Sequence, residues 1–370
     1  MTAVPKRHLL RETPDTLGAW LAAAGEPAYR AAQVFDWLYR RGATDVAAMS
    51  NLPRGLRDRL AAEFDIVTAR DLRVASAADG TTKLLLAWPD GATSECVLIP
   101  DDDRRTACIS SQVGCPVGCK FCASGLDGVE RNLAAGEIVE QVQRIRRLCE
   151  SPAADGDAAT RLGNIVLMGS GEPLANYDEV LAALRIINAE WGPHIGARKI
   201  TLSTVGLPKQ IRRLADEGLQ INLALSLHAP SDALRHELIP WAGKIPLDDI
   251  LSACRHYFDR TGREITLEYI LLGGVNDQPV HARQLARVAK QLRCNVNLIR
   301  YNPVAGLPYR RPESRDSQAF QSVLRQAGIN AHLRRSRGLE IDAACGQLRR
   351  RERADPVVPL TLSAAPRDRA

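Results

Sequence analysis

The feature that most constrains the fold is a regular alternation of strand-like and helix-like segments between residues 106 and 335. Strands are predicted at 106–110, 164–168, 199–204, 221–227, 265–271, 296–301 and 331–335. Helices are predicted between them at 135–149, 177–189, 208–217, 247–259, 281–291 and 316–326. Strands that alternate with helices favour a parallel sheet built from β/α units. About six units predict an α/β fold with a partial (β/α)6 barrel instead of a closed barrel of about eight.

The chain before the alternation has a different pattern. Residues 14–64 place apolar side chains at helical spacing, whereas 72–77, 83–88 and 92–99 are strand-like. We therefore expect an N-terminal helical domain with a short β extension at 1–90 and an α/β barrel at 91–348. The residues at 151–160 are read as a loop insertion, and 349–370 as a disordered basic tail rich in Pro, Ala and Arg.

Three cysteines form the strongest chemical signal. Cys115, Cys119 and Cys122 are separated by three and then two residues, a spacing that suits a four-iron four-sulfur cluster held by thiolates with one iron left open. An open iron can chelate the amino and carboxylate groups of S-adenosylmethionine. A structural zinc site is disfavoured, because no histidine or fourth cysteine follows within the next twenty residues.

Composition bears on partners and compartment. Only seven of the 49 basic residues are lysine, and arginines cluster at 334–337 and 349–353. Arginine binds phosphates through a bidentate fork and stacks on bases, which favours a nucleic-acid partner, with a solvated charged face as the alternative for any single cluster. The nine cysteines are an odd number, and neither an apolar signal segment nor a membrane-length apolar run of ~18 residues is present. We expect a cytoplasmic protein that does not span a membrane.

Polar residues recur where the predicted strands end, which is where parallel α/β folds bind ligands. A Gly-Ser-Gly-Glu-Pro turn follows the second strand, and the carboxylate of Glu172 within it could bind an ammonium group. Each site alone has a structural alternative, but together with the cysteine loop they predict one active face. The other strand-end residues are Ser203, Thr204, Ser226, His228 and Asn302.

Two further cysteines lie where they could join this face. Cys108 ends the strand before the cysteine loop, and Cys345 follows the last predicted strand. Both are either buried apolar residues or a pair with nucleophilic and redox chemistry. We interpret Cys96, Cys149 and Cys254, together with Cys294, as structural.

Five separated motifs resemble one family in the correct order. These motifs are the run 108–122, the Gly-Glu-Pro-Leu turn at 171–174, Ser-Leu-His at 226–228, Tyr-Asn-Pro at 301–303 and Asp-Ala-Ala-Cys-Gly-Gln-Leu at 342–348. They resemble the radical SAM adenine methyltransferases of the RlmN and Cfr group, over nearly the whole chain. The resemblance implies a radical SAM barrel, and an N-terminal domain that contacts RNA.

The resemblance also implies roles for individual residues. Cys345 accepts a methyl group from one S-adenosylmethionine, and a second molecule, bound to the 4Fe-4S cluster, supplies a 5'-deoxyadenosyl radical. The radical abstracts hydrogen from the methylated Cys345, which then adds to an adenine carbon. Cys108 releases the product by forming a disulfide with Cys345, and Glu95 accepts a proton. The implied S-adenosylmethionine contacts are Gly171, Glu172, Ser203, Ser226, Leu227, His228 and Asn302.

The implied substrate is an adenine of 23S ribosomal RNA, with tRNA as a second candidate, and the implied partner is a flavodoxin-type electron donor to a monomeric enzyme. One departure is visible, because Ser170 stands where the family commonly has methionine. The leading hypothesis is methylation at adenine carbon 2. The alternatives are a Cfr-like reaction at carbon 8 and an RNA-binding factor that keeps an inert cluster site. Intact Cys108, Cys345 and Glu95 argue against the binding factor.

Overall fold

Ten strands form one mixed sheet whose spatial order follows the chain along most of its length. The structure is a computed structural model that describes residues 6–102, 104–150 and 160–348. The predicted loop insertion lies almost entirely outside these residues, and the predicted tail lies entirely outside them. No helix within the described ranges is long and apolar enough to cross a membrane.

The N-terminal part is helical, as the spacing of its apolar residues predicts. Thr13 caps the first helix by accepting a hydrogen bond from the amide of Thr16 at 3.3 Å, and Pro14 occupies the first helical position. A parallel pair of two-residue strands, which the sequence did not indicate, joins the two ends of this part. In chain order the elements are β1 (Arg7–His8), α1 (Pro14–Ala23), α2 (Arg30–Phe35), a π-helical turn (Asp36–Arg40), α3 (Arg54–Glu63) and β2 (Phe64–Asp65).

Four antiparallel strands follow and connect the helical part to the barrel. They are β3 (Arg70–Ser76), β4 (Thr82–Ala87), β5 (Thr93–Asp101) and β6 (Arg104–Cys108). β6 also pairs in parallel with the next barrel strand, so all four belong to the ten-stranded sheet. The division at residue 90 falls between β4 and β5, which pair directly, and it stays a proposal about domain roles.

The barrel contains seven parallel strands, β6 and then β9 to β14, in that spatial order, as the predicted alternation requires. This confirms the predicted α/β class and its six β/α units. Within the described ranges, the sequence had not indicated the pairing of Gln112–Gly114 with Val129–Asn132 or the helix Asp232–Leu238. The elements after β6 are β7 (Gln112–Gly114), β8 (Val129–Asn132), α4 (Ala135–Glu150), β9 (Asn164–Leu167), α5 (Tyr177–Asn188), β10 (Ile200–Thr204), α6 (Pro208–Ala215), β11 (Asn222–Ser226), α7 (Asp232–Leu238), α8 (Leu247–Thr261), β12 (Ile265–Leu271), α9 (Pro279–Ala289), β13 (Cys294–Arg300), α10 (Ser314–Gln326) and β14 (Ala331–Arg334).

The barrel strands are apolar because parallel sheets are covered on both faces. Leu225, Leu267 and Val296 are cross-strand neighbours in β11, β12 and β13, and all three are fully buried. The carboxyl ends of these strands meet at one edge, which places the loops that follow them around a common opening. The cysteine loop follows β6 and therefore reaches the same edge.

A buried carboxylate joins the helical part to the barrel. Glu140 on α4 accepts hydrogen bonds from the amide and hydroxyl of Thr68, at 2.9 and 2.8 Å, and from the amide of Ala69 at 3.1 Å. Arg144 lies 2.8 Å from the same carboxylate, and the His8 ring lies 3.3 Å away. Burial opposes ionisation, but the bonds and charges of His8 and Arg144 outweigh it and lower the pKa of Glu140 to about 2.

Candidate active site

The three cysteines of the predicted cluster line one cavity at the carboxyl edge of the sheet. The cavity contains about 860 Å³ of space between the cysteine loop and the ends of β9 to β13. Burial raises the pKa of Cys115 to about 12 and also raises the pKa values of Cys119 and Cys122. The Cys122 thiol further raises the pKa of both Cys115 and Cys119. Thiols in this state are neutral until a metal displaces their protons.

This donor set fits an iron-sulfur cluster. Each thiolate of such a cluster binds a different iron, so the sulfurs lie further apart than the ligands of one ion. Within the described ranges, no three His, Cys, Asp or Glu side chains converge as the ligands of a single metal ion do. Arg235 on α7 is fully buried, and its charge acts on Cys119 and Glu172. A buried cation beside the cysteines would offset part of the negative charge of bound thiolates.

The turn after β9 carries Gly171 and Glu172 into the cavity. Gly171 has φ +109°, and a Cβ there would lie 2.7 Å from Cβ of Gln112 and from Oγ of Ser111, so only glycine fits. The Glu172 carboxylate accepts from the amides of Leu174 at 3.0 Å and Val205 at 2.8 Å. Burial raises the pKa of Glu172 to about 7. Its oxygens retain lone pairs that a ligand ammonium group can use.

The strand-end residues Ser203, Ser226 and His228 line the same cavity. The hydroxyls of Ser203 and Ser226 are 3.0 Å apart, so each strand end fixes the other. Nδ1 of His228 accepts from the Ile270 amide at 3.1 Å, and burial lowers the pKa of His228 to about 3. The ring is therefore neutral with its proton on Nε2, which is a donor.

Leu227 and Asn302 are placed differently. Leu227 is fully buried and does not line the cavity, and its amide donates to the Glu268 carbonyl at 3.0 Å. The Asn302 amide donates to the carbonyl of Cys345 at 3.4 Å and accepts from Arg311 at 3.2 Å. Asn302 therefore contacts the segment that carries Cys345, and lies outside the lining of the cysteine cavity.

A second cavity of about 600 Å³ adjoins the first. Cys108 and Cys345 both line it, and Cys345 lines the first cavity as well, together with Met168 and Ile299. Cys345 is exposed whereas Cys108 is buried, which raises the pKa of Cys108 to about 12. All nine cysteines are described, and each is a free thiol, so the disulfide implied by the resemblance is not formed in this structure. The second cavity is also lined by Arg334, Arg335, Ser336 and Arg337.

Glu95 lies near Cys108 but lines neither cavity. Cys108 pairs with Val97 across β5 and β6, and Glu95 is two residues from Val97, so Glu95 and Cys108 are diagonal neighbours on one face of the sheet. The side chain of Glu95 is buried and forms an ion pair with Lys83 at 2.9 Å.

Three charged residues of the site were not selected as candidates from the sequence. Arg235 gave no signal, because an arginine on a short helix normally faces solvent. Glu268 is a carboxylate inside an apolar strand, a signal that was available, and it lines the cysteine cavity. Arg334 was noted only as part of a basic cluster; it lies 3.8 Å from Glu268, and that charge raises the pKa of Arg334 against the effect of burial.

Ser170, the departure from the family pattern, is buried and fully engaged. Its hydroxyl donates to the carbonyl of Gly114 at 3.1 Å, and its amide donates to Ser110 at 2.9 Å. Gly114 directly precedes the first cluster cysteine. Where the family commonly has the thioether of methionine, this chain therefore has a serine hydroxyl that is hydrogen-bonded to Gly114 at the start of the cysteine loop.

The fold and the cysteine loop define a radical SAM enzyme. A family model described as the Radical SAM superfamily matches residues 109–286, and one described as the ribosomal RNA large subunit methyltransferase N-terminal domain matches residues 8–66. The solved structure of a radical SAM methyltransferase from Sphaerobacter thermophilus is 45% identical, with a TM-score of 0.88, over 93% of this chain and 99% of that chain.

Curated relatives narrow the class to one family. A probable dual-specificity RNA methyltransferase RlmN from Rhodopirellula baltica is 48% identical over 94% of this chain and 92% of the relative. Relatives with the same description from Geobacillus kaustophilus and Thermosynechococcus vestitus are 45% and 47% identical, over 96% and 92% of this chain and 95% and 98% of their own lengths. The chain belongs to the RlmN family of radical SAM methyltransferases.

Proposed function

We propose that this protein methylates carbon 2 of an adenine in 23S ribosomal RNA, and of an adenine in tRNA, through a methylated Cys345. The observation that carries the proposal is the position of Cys345 in the wall shared by two cavities. One cavity holds the cluster cysteines, and the other is lined by arginines and by Cys108. A thiol in that wall can take a methyl group from one side and present it to the other.

The cysteine cavity would hold the cofactors. Cys115, Cys119 and Cys122 would bind a 4Fe-4S cluster, and Glu172 would accept a hydrogen bond from the ammonium group of S-adenosylmethionine. Ser203, Ser226 and His228 would bind the remaining polar groups of S-adenosylmethionine. Gly171 would let the backbone come close to the cofactor. Leu227 and Asn302 would support the residues around the cofactor. When bound, the cluster and S-adenosylmethionine supply a carbon-centred radical, with two S-adenosylmethionine molecules used per turnover.

The arginine-lined cavity would receive the nucleotide. Arg334, on β14, lies 3.8 Å from Glu268, and Arg337 lies 2.6 Å from Asp101, so both cations are held by carboxylates. Guanidinium groups bind phosphate in a bidentate manner and stack on bases. The relatives described as dual-specificity RNA methyltransferases support RNA as the substrate class. The N-terminal helical part would extend this RNA contact.

The methylated RNA would be released from the protein by the thiols of Cys108 and Cys345. Cys108 would attack the sulfur of Cys345, so that an S–S bond forms and the S–C bond to the adduct breaks. The electron pair of the broken bond stays with carbon, which takes a proton to complete the methyl group. Glu95 would accept the proton lost from the adenine ring. Because burial keeps Cys108 as a thiol in the resting protein, its thiolate has to form after the substrate is bound.

Three further properties belong to the proposal. The reaction consumes electrons, for which we propose a flavodoxin-type donor. The nine free thiols support a reducing cytoplasm, where cysteines remain reduced. We also propose that the protein is a monomer, which sedimentation of the cluster-loaded protein would test.

The decisive experiment identifies the product. Anaerobic, cluster-loaded protein is incubated with S-adenosylmethionine, a reductant and either a 23S rRNA fragment or tRNA, and the digested nucleosides are identified by mass spectrometry. We expect 2-methyladenosine from the wild type and from the control Cys294→Ala, and none from Cys345→Ala. Formation of 8-methyladenosine would indicate the Cfr-like reaction. RNA binding without any modified base would indicate a binding factor.

A further inference from the structure

One face of the antiparallel extension carries an unusual set of side chains. Val97 on β5 pairs with Lys83 on β4 and with Cys108 on β6, so these three side chains share a face, and Glu95 lies on it two residues from Val97. The segment that bears Cys345 packs on this face, where Ala343 contacts the apolar cluster formed by Val97 and Cys108.

Lys83 connects the two sides of this interface. Its ammonium group lies 2.9 Å from Oε1 of Glu95 and donates to the carbonyl oxygen of Asp342 at 3.3 Å. The side chain of Lys83 is 10% exposed and that of Glu95 is 1% exposed. Asp342 is three residues before Cys345 and has φ +50°, a left-handed conformation that costs free energy in a non-glycine residue. A bond to its carbonyl stabilises that conformation.

The turn between β3 and β4 holds the same segment at its other end. The amide of Gly338 donates to Oδ2 of Asp79 at 3.0 Å, and the amide of Ala78 donates to Glu340 at 3.3 Å. Gly338 has φ +64°, and a Cβ there would lie 2.7 Å from Cγ2 of Thr81. Residues 338–342 therefore pack against the β3–β4 hairpin, and Lys83 is the residue of that hairpin whose contact lies nearest to Cys345 along the chain.

We propose that Lys83 is a positioning residue that fixes the backbone before Cys345 relative to the carboxylate of Glu95. A single ammonium group has three N–H donors and can bond the carboxylate and the carbonyl together. It keeps the proton acceptor, the resolving thiol Cys108 and the methyl-carrying thiol in one arrangement. The catalytic part of this inference rests on the proposed function, whereas the structural part does not.

The structural part is tested by hydrogen exchange in the full-length, cluster-loaded protein. Lys83→Met keeps the length of the side chain and removes its donors, so the amides of residues 338–348 should exchange about tenfold faster. The matched control is Lys6→Met, because Lys6 forms an exposed ion pair with Asp65 at 3.3 Å, and it should leave this peptide unchanged. Lys83→Arg should restore most of the protection. Equal exchange in Lys83→Met and Lys6→Met would overturn the proposal.

The catalytic part is tested by a double-mutant cycle on adenine methylation. If Lys83 fixes Glu95 relative to Cys345, the loss of activity in Lys83→Met/Glu95→Gln should be clearly smaller than the product of the two single losses. Rate losses that multiply would show that Lys83 and Glu95 act independently and would refute the coupling. Lys83→Gln provides a second variant if Lys83→Met is poorly folded. Absence of methylated adenine from the wild type would refute the proposed function, while the exchange result would still decide whether Lys83 holds the segment.

Discussion

The carboxylate of Glu140 should provide a large share of the attachment between the helical part and the barrel. Its pKa falls from 4.5 to about 2 on folding. A shift of this size corresponds to about 3 kcal/mol of stability at neutral pH. Because the folded pKa is lowered, the stabilisation is complete above pH 4.5 and is lost as the pH falls toward 2. Between pH 7 and pH 3, about 2 kcal/mol of it should disappear.

The assay is urea unfolding of the wild type and Glu140→Gln without the cluster, so that acid loss of iron does not contribute. We expect Glu140→Gln to be about 3 kcal/mol less stable at pH 7 and about 1 kcal/mol less stable at pH 3. The control is Asp178→Asn, which breaks an exposed ion pair with Arg213 and should cost less than about 1 kcal/mol at either pH. A deficit for Glu140→Gln as small as that of the control, or one that does not change with pH, would refute the reasoning.

Three other outcomes follow from the site. Cys108→Ala should leave protein covalently attached to RNA through Cys345, visible as a slow band on a denaturing gel; free protein after turnover would contradict the resolving role. Cys119→Ser should lower bound iron and sulfide severalfold, because two thiolates hold a cluster poorly; unchanged iron content would exclude Cys119 as a ligand. Gly171→Ala should lower stability by about 2–4 kcal/mol and weaken S-adenosylmethionine binding. Gly196→Ala, which has open space around it, should change neither in thermal unfolding and equilibrium dialysis.

The parallel strands could be predicted because their sequences report burial on both faces. The strand at Ile265–Leu271 is apolar apart from Thr266 and Glu268, and its predicted and observed bounds agree. The β7–β8 hairpin was missed because Gln112–Gly114 and Val129–Asn132 are short and their pairing joins distant residues. Helix α7 was missed because seven residues around a buried arginine give no amphipathic pattern.

Some residues of the candidate site could likewise be predicted from the sequence, and others could not. Spacing along the chain indicated that Cys115, Cys119 and Cys122 act together, since the ligands of such a loop are local in sequence. The positions of Lys83 and Arg235 depend on strand register and on the burial of charges, which a sequence pattern does not report. Glu268 was overlooked because candidates were sought only where strands end.

The residues shared by the two cavities would separate the cofactors from the nucleotide. Met168, Ile299 and Cys345 contribute to the linings of both the cysteine cavity and the arginine-lined cavity. A radical formed in the cysteine cavity would meet these side chains on its way to the arginine-lined cavity. Under the proposed function, the Cys345 sulfur would therefore separate the two cavities as well as carry the methyl group. These three side chains would then shield a nucleotide in the arginine-lined cavity from direct attack by the radical, and the thiol of Cys345 would supply the carbon that reaches it.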